Sequence, residues 1–225
     1  PPRSTLFPYT TLFRSRIPDI TAKILSVLLY PLFVPTYGMA LFCYAHSIHI
    51  APLHWVWVLV AVAGTFFLTC LSPMVSIWIM MKRGIVSDMQ IADPEERTMP
   101  YLCAAVGFAF WSYLVVAILH APLFISLVAI GATAAIAAVA FINRRWKISA
   151  HLTGFGGLVG GLFSYCLGIG AIPTWTTILI WFSMSLILMW ARLRMNAHTP
   201  AQVAAGWLLG MTCTFIPYCI YSYVA

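Results

Sequence analysis

Apolar runs of about twenty residues follow one another along most of this chain, and the charged side chains fall between them or in their first turn. A helix needs roughly 20 apolar residues to cross the ~30 Å hydrocarbon core of a bilayer. The runs are expected at about 22–45, kinked by Pro31 and Pro35, then 53–81, 100–120, 122–142, 150–171, 174–190 and 200–224. The second contains Pro73 and reads as one tilted or bent span rather than two short ones. Composition agrees, because 62% of the 225 residues are hydrophobic and 8% are charged, against roughly 25% charged in soluble domains. The expected fold class is therefore all-α, a polytopic integral membrane helix bundle with about seven (six to seven) transmembrane helices. Residues 16–225 are expected to form a single domain.

Residues 5–15 resemble the translation of a sequencing-library adapter, so fold reasoning starts near Arg16 and the natural N-terminus is expected to differ. No cleavable signal peptide is expected, since the first apolar segment is too long and lacks a small-residue cleavage site. The six cysteines stand singly in apolar stretches, without metal or disulfide spacing, and read as packing residues.

Charge parity tests the span count. The N-terminus and the loops after the second, fourth and sixth runs share one face, and that face holds all 12 Lys and Arg and all 5 acids. The opposite loops, at 46–53, 120–122 and 171–174, hold none. The positive-inside rule puts the charged face in the cytoplasm, and Lys23, Lys82, Arg83, Arg144 and Arg145 support this even when Arg residues suited to ligands are set aside. The basic residues are dispersed between apolar spans, which argues against nucleic acid as a partner. Membrane lipids are the expected partners, and no obligate protein partner is inferred. A compact chain with few insertions suggests the inner membrane of a bacterium.

Three loops on the charged face carry Arg, Lys or His beside a helix end: Asp93 to Pro100, Arg145 to His151, and Ala191 to Gln202. Together they read as an anion site. Ser149 is a good N-cap, and the helix that follows offers unpaired N–H groups and a positive dipole end. Arg97 and Arg192 are able to fork hydrogen bonds onto phosphate oxygens. His151 and His198 each stand at a helix start and suit proton transfer or nucleophilic attack. No acid cluster fitting Mg²⁺ or Ca²⁺ accompanies them, and two His make a poor zinc site, so no cofactor is expected.

Each element also has a structural use. Arg97, Arg192 and Arg194 fit topology anchors, and Ser149 fits a plain cap. Thr199 and Gln202 have capping-box spacing, with Pro200 at the first helical position, and His198 suits a solvated interface. Gly156, Gly157, Gly160 and Gly161 form two small-xxx-small pairs for close helix approach and are not a phosphate loop. His46, His49, His54 and His120 fall on the uncharged face.

The order of these motifs resembles the three-part signature of the type 2 phosphatidic acid phosphatase (lipid phosphatase/haloperoxidase) superfamily, over about residues 90–210. That family's Lys-x₆-Arg-Pro is matched loosely by Gln90, Arg97 and Pro100. Its Pro-Ser-Gly-His appears as Ile148, Ser149, Ala150 and His151, and its Ser-Arg-x₅-His-x₃-Asp as Ala191, Arg192, His198 and Gln202. The resemblance implies metal-free phosphoryl transfer from a lipid phosphate: phosphatidic acid, phosphatidylglycerol phosphate or a polyprenyl pyrophosphate. His198 would be the nucleophile and His151 the acid. Arg97, Arg192 and the Ser149 and Ala150 amides would bind phosphate, with Lys147 standing in for the missing motif Lys. Gln202 would orient His198 without the negative charge of the family's Asp. A protein that binds anionic lipid without turning it over is the competing expectation. A transporter fits less well, because no internal repeat or mid-span ionisable residue is visible.

Overall fold

A computed structural model describes residues 16–88, 91, 95–169 and 173–224. The adapter-like stretch with Arg3 and Arg14, the motif position Gln90, and Asp93 lie outside the described residues. Among the described residues the chain is all-helical, with no strand. The order is α1 (Arg16–Leu28), α2 (Val34–His49), α3 (Trp55–Thr65), α4 (Ser72–Lys82), α5 (Thr98–Tyr113), α6 (Leu123–Ile142), α7 (Ala150–Ile169), α8 (Pro173–Arg194) and α9 (Pro200–Val224).

The first expected run is not one kinked helix. It divides into α1, of 13 residues, and α2, of 16, with a break between them. Proline biases the residue before it away from the α region and removes its own N–H donor. Pro31 and Pro35 do this twice within about one turn, which ends α1. Pro35 then sits in the first turn of α2, where its missing donor costs nothing.

The second run stays whole. A π turn at Phe66–Leu71 joins α3 to α4, giving a continuous 28-residue rod, Trp55–Lys82. The wider turn lies just before Pro73, where the Ser72 N–H reaches back to the Phe67 carbonyl and the regular ladder is interrupted. A second π turn, Leu114–Ile118, extends α5.

Four helices are long and apolar enough to cross a membrane: Trp55–Lys82, Thr98–Ile118, Leu123–Ile142 and Trp175–Arg194. Their outer faces carry large apolar side chains such as Leu59, Val106, Phe141 and Leu179, all well exposed as lipid contact requires. Helix α7 is the centre of the bundle, with Leu152, Phe155, Leu158, Val159 and Leu162 all buried. It packs against α9, α8, α6 and α2. The α7–α9 seam depends on glycine at both sides. A Cβ on Gly156 would run into the Trp207 carbonyl, and one on Gly210 into the Thr153 carbonyl. Thr214 Oγ1 donates to the Gly157 carbonyl across the seam at 2.8 Å, using the close backbone approach that small residues permit.

The connections sort to two ends. At one end Trp57 Nε1 donates to the Leu119 carbonyl at 2.9 Å, tying the start of α3 to the turn before α6. At the other, the Ser149 N–H donates to the Gln202 carbonyl at 3.3 Å, tying the start of α7 to the start of α9. The loops rich in Arg, Lys and His meet at this second end.

Candidate functional site

Arg97 closes a short 3₁₀ turn, Glu95–Arg97, at the start of α5. Its guanidinium is buried, and Nε donates to the Ile91 carbonyl at 2.8 Å. Ile91 presents that carbonyl from a left-handed backbone, φ 50°. Glu96 holds the preceding loop in place, accepting from the Ser87 N–H at 2.8 Å and the Ser87 hydroxyl at 2.9 Å.

Arg192 lies in the last turn of α8, where cations complement the helix dipole. It too is buried. Its Nη1 donates to Ser26 Oγ at 2.7 Å, while its Nε has no hydrogen-bond partner. The Ser26 carbonyl accepts from His151 Nε2 at 3.3 Å. A carbonyl only accepts, so this bond puts a proton on Nε2 of His151. Tyr30 packs edge-on to the His151 ring, with centroids 5.6 Å apart.

His198 precedes α9. The capping box expected there is present: the Gln202 N–H donates to Thr199 Oγ1 at 3.4 Å, and the Thr199 N–H donates to Gln202 Oε1 at 3.0 Å. Gln202 Oε1 also accepts from His198 Nδ1 at 3.3 Å. Burial, then the charges of Arg192, Lys147 and Arg97, push the His198 pKa down to about 4, against a weaker upward pull from Gln202. The imidazole is therefore neutral at pH 7. Lys147, between α6 and α7, has its pKa lowered by burial and by Arg97 and Arg192.

Arg97, Ala150, His151, Arg192 and His198 line one cavity of about 180 Å³, together with Tyr30 and Tyr101, and among the described residues no acid lines it. The structure thus brings together residues from all three loops. Three expected residues do not line it. Ser149 is fully buried and serves as a structural tie: its Oγ accepts from the Leu152 N–H at 3.5 Å, and its own N–H is committed to Gln202. That commitment removes the Ser149 amide from the expected phosphate donors. Ala150 opens α7; the Leu152 and Thr153 N–H groups of that first turn donate to the Ser149 hydroxyl and carbonyl, while those of Ala150 and His151 precede the helical ladder. Lys147 acts on the cavity through its charge, and Gln202 through His198.

Sequence reasoning missed Ser26, Tyr30 and Tyr101. Ser26 touches both Arg192 and His151 although it is 166 and 125 residues away from them. Its one local signal was a hydroxyl four residues after Ala22 on the face of α1 that becomes buried. Among the described residues no three His, Cys, Asp or Glu cluster where they could hold a metal ion.

The fold and the site together define a helical membrane protein with a cavity lined by Arg97, Arg192, His151 and His198 at one end of the bundle. Comparison with protein-family models, with curated proteins and with solved structures finds no match to this chain.

Proposed function

We propose that the protein is a membrane-embedded, metal-independent phosphatase that removes phosphate from a lipid phosphate through a phosphohistidine intermediate. The observation that carries this reading is the convergence of two buried arginines and two histidines on one cavity. The forked guanidinium donors and positive charge of Arg97 and Arg192 are complementary to a phosphate monoester anion. The reading also rests on the resemblance to the type 2 phosphatidic acid phosphatase superfamily.

In this mechanism the equatorial phosphate oxygens lie against Arg97, Arg192 and the Ala150 and His151 amides that open α7, so stabilisation of the transferring phosphoryl group is mainly electrostatic. His198 Nε2 attacks phosphorus as the bond to the lipid oxygen breaks; His151, made an imidazolium by the proton that a phosphate monoanion brings in, keeps Nε2–H on the Ser26 carbonyl and delivers its Nδ1 proton to that oxygen. Water then attacks the phosphohistidine, His151 accepts its proton, and phosphate leaves with His198 restored. Neutral His198 is the reactive form, and its low pKa keeps it available at neutral pH.

A second reading is favoured by Gln202, which offers His198 a hydrogen bond but no negative charge. Under it the protein binds anionic lipid without turnover. Phosphate release from a panel of lipid phosphates, in detergent with EDTA, separates the two. Release that persists in EDTA and falls roughly a thousandfold or more in His198→Ala is expected of the phosphatase, since loss of a nucleophile costs orders of magnitude. No release from any lipid, with wild type and His198→Ala binding alike, would overturn that reading in favour of the second.

The bundle is proposed to make seven passes, with α2, α7 and α9 joining the four helices that qualify by length and composition. It would sit in the inner membrane of a bacterium with the site on the cytoplasmic side, as the charge asymmetry favours.

A further inference from the structure

The cavity does not end at the arginines. It continues along one face of α6, from Val139 past Ala135, Ala132 and Ala129 to Ile125, and along α5 from Arg97 past Ala104 and Phe108 to Trp111. At ~1.5 Å per residue both walls run for about 21 Å, most of the ~30 Å apolar thickness of a bilayer. The small side chains along it are Ala104 on α5 and Ala129, Ala132 and Ala135 on α6. Phe42 and Ile125 stand at the far end, with Phe42 packed edge-on to Phe124 at 5.3 Å.

Five hydroxyls line this lane: Thr65, Thr69, Ser112, Thr153 and Thr214. Each donates to a backbone carbonyl, respectively that of Ala61, Thr65, Ala129, Ser149 and Gly157, at 2.7–3.0 Å. Trp111 is likewise committed, its Nε1 donating to Thr65 Oγ1 at 2.8 Å. The lane therefore offers methyl groups and satisfied donors to whatever fills it. Such a lining suits hydrocarbon and gives a hydrated solute little to replace its water. Buried Met39, Leu158 and Ile77 are among its lining, so part of its wall is the protein core.

We infer that this lane holds one long hydrocarbon chain whose anionic headgroup lies between Arg97, Arg192 and His198, which makes the substrate a single-tailed lipid phosphate, alkyl or isoprenyl, in preference to a two-tailed glycerophospholipid. A glycerol backbone brings a second tail, whereas the small side chains that open the lane, Ala129, Ala132 and Ala135, form a single row on α6. This inference rests on the phosphatase reading for the word substrate, and on the geometry alone for the occupant.

The test is photolabelling of the purified full-length protein with a hexadecyl phosphonate carrying a diazirine at its tail end, followed by mapping of the adducts. Adducts are expected near Phe42, Trp111 and Ile125, at the far end of the lane. Hexadecyl or geranylgeranyl phosphate should suppress them at concentrations at least tenfold below those needed of dipalmitoyl phosphatidic acid, and whichever suppresses better names the chain. Ala135→Phe, which puts a ring in the lane, should abolish far-end labelling. Ala134→Phe, on the exposed side of the same helix, should leave it intact. Adducts confined to outward residues such as Val106 and Leu179, or equal competition by phosphatidic acid, would overturn the inference, and the wild-type map decides this even if Ala135→Phe misfolds. Because labelling needs no turnover, far-end adducts without phosphate release would retain the lane and discard the phosphatase.

Discussion

At the scale of the residue, the protonation of His198 follows from a neighbour. The Thr199 N–H donates to Gln202 Oε1, so the Gln202 atom facing His198 is an acceptor. His198 must then carry its proton on Nδ1, which leaves Nε2 with the lone pair a nucleophile needs. Gln202 thus orients the ring without stabilising the charge that develops on it. Gln202→Asp is expected to raise kcat by one to two orders of magnitude, since a carboxylate in that role is worth up to ~10⁴-fold in a serine-protease triad. Gln202→Leu should lower kcat, and steady-state kinetics on both variants checks the pair. The pH dependence has a definite sign. In the proposed phosphatase mechanism His198 reacts neutral; with its pKa depressed to about 4, activity should hold down through pH 6 and be lost as pH falls through about 4. Lys147→Met removes one of the charges that depress it, so the acid limb of kcat/KM should move to higher pH. An acid limb already near 6.5 in the wild type would contradict the burial of this imidazole.

At the scale of the element, the site is held by helix ends, and their positions depend on seams elsewhere. The start of α7 is tied to the start of α9 through Ser149 and Gln202, and the same two helices pack through Gly156 and Gly210. Gly156→Val forces its side chain against the Trp207 carbonyl, which has no flexible end to yield. Overpacking of this kind costs roughly 1–3 kcal/mol, and at roughly 2–4 °C per kcal/mol for a chain of this size the melting temperature in detergent should fall by several degrees. Ala134→Val, on an exposed face, should leave it unchanged. The break between α1 and α2 matters equally, because α1 runs against α8 and delivers Ser26 to Arg192 and His151. The prolines that cause the break were plain in the sequence. Their effect was not, because one proline kinks a long helix whereas two within a turn end it, and what lies beyond is decided by packing.

At the scale of the whole molecule, the charges are gathered at one end of an apolar bundle. A positively charged end resists transfer across a membrane, and this sets the expected orientation. With Ser87→Cys or Met195→Cys, both in loops at the charged end, an impermeant thiol reagent should label neither site in intact cells and both after permeabilisation. Labelling of both in intact cells would place the site outside. Helix α7, at the centre, carries glycine where the backbone of α9 comes close.

The sequence by itself determined that the chain is helical and apolar enough for a membrane, most helix boundaries beyond the first run, and that the loops rich in Arg, Lys and His share one end. These rest on local rules: a bilayer's thickness sets the length of an apolar run, and prolines, caps and charges mark where a run stops. Arg-x₅-His-x₃-Gln was legible because its members share one helix junction, where spacing fixes proximity. Tertiary structure alone decided that the Ser149 N–H ties α7 to α9, that Ser26 on α1 bridges Arg192 and His151, and that alanines on α6 line the cavity behind the arginines. Those outcomes depend on which faces of separate helices meet, and a helix's sequence shows what its face offers without showing what stands opposite.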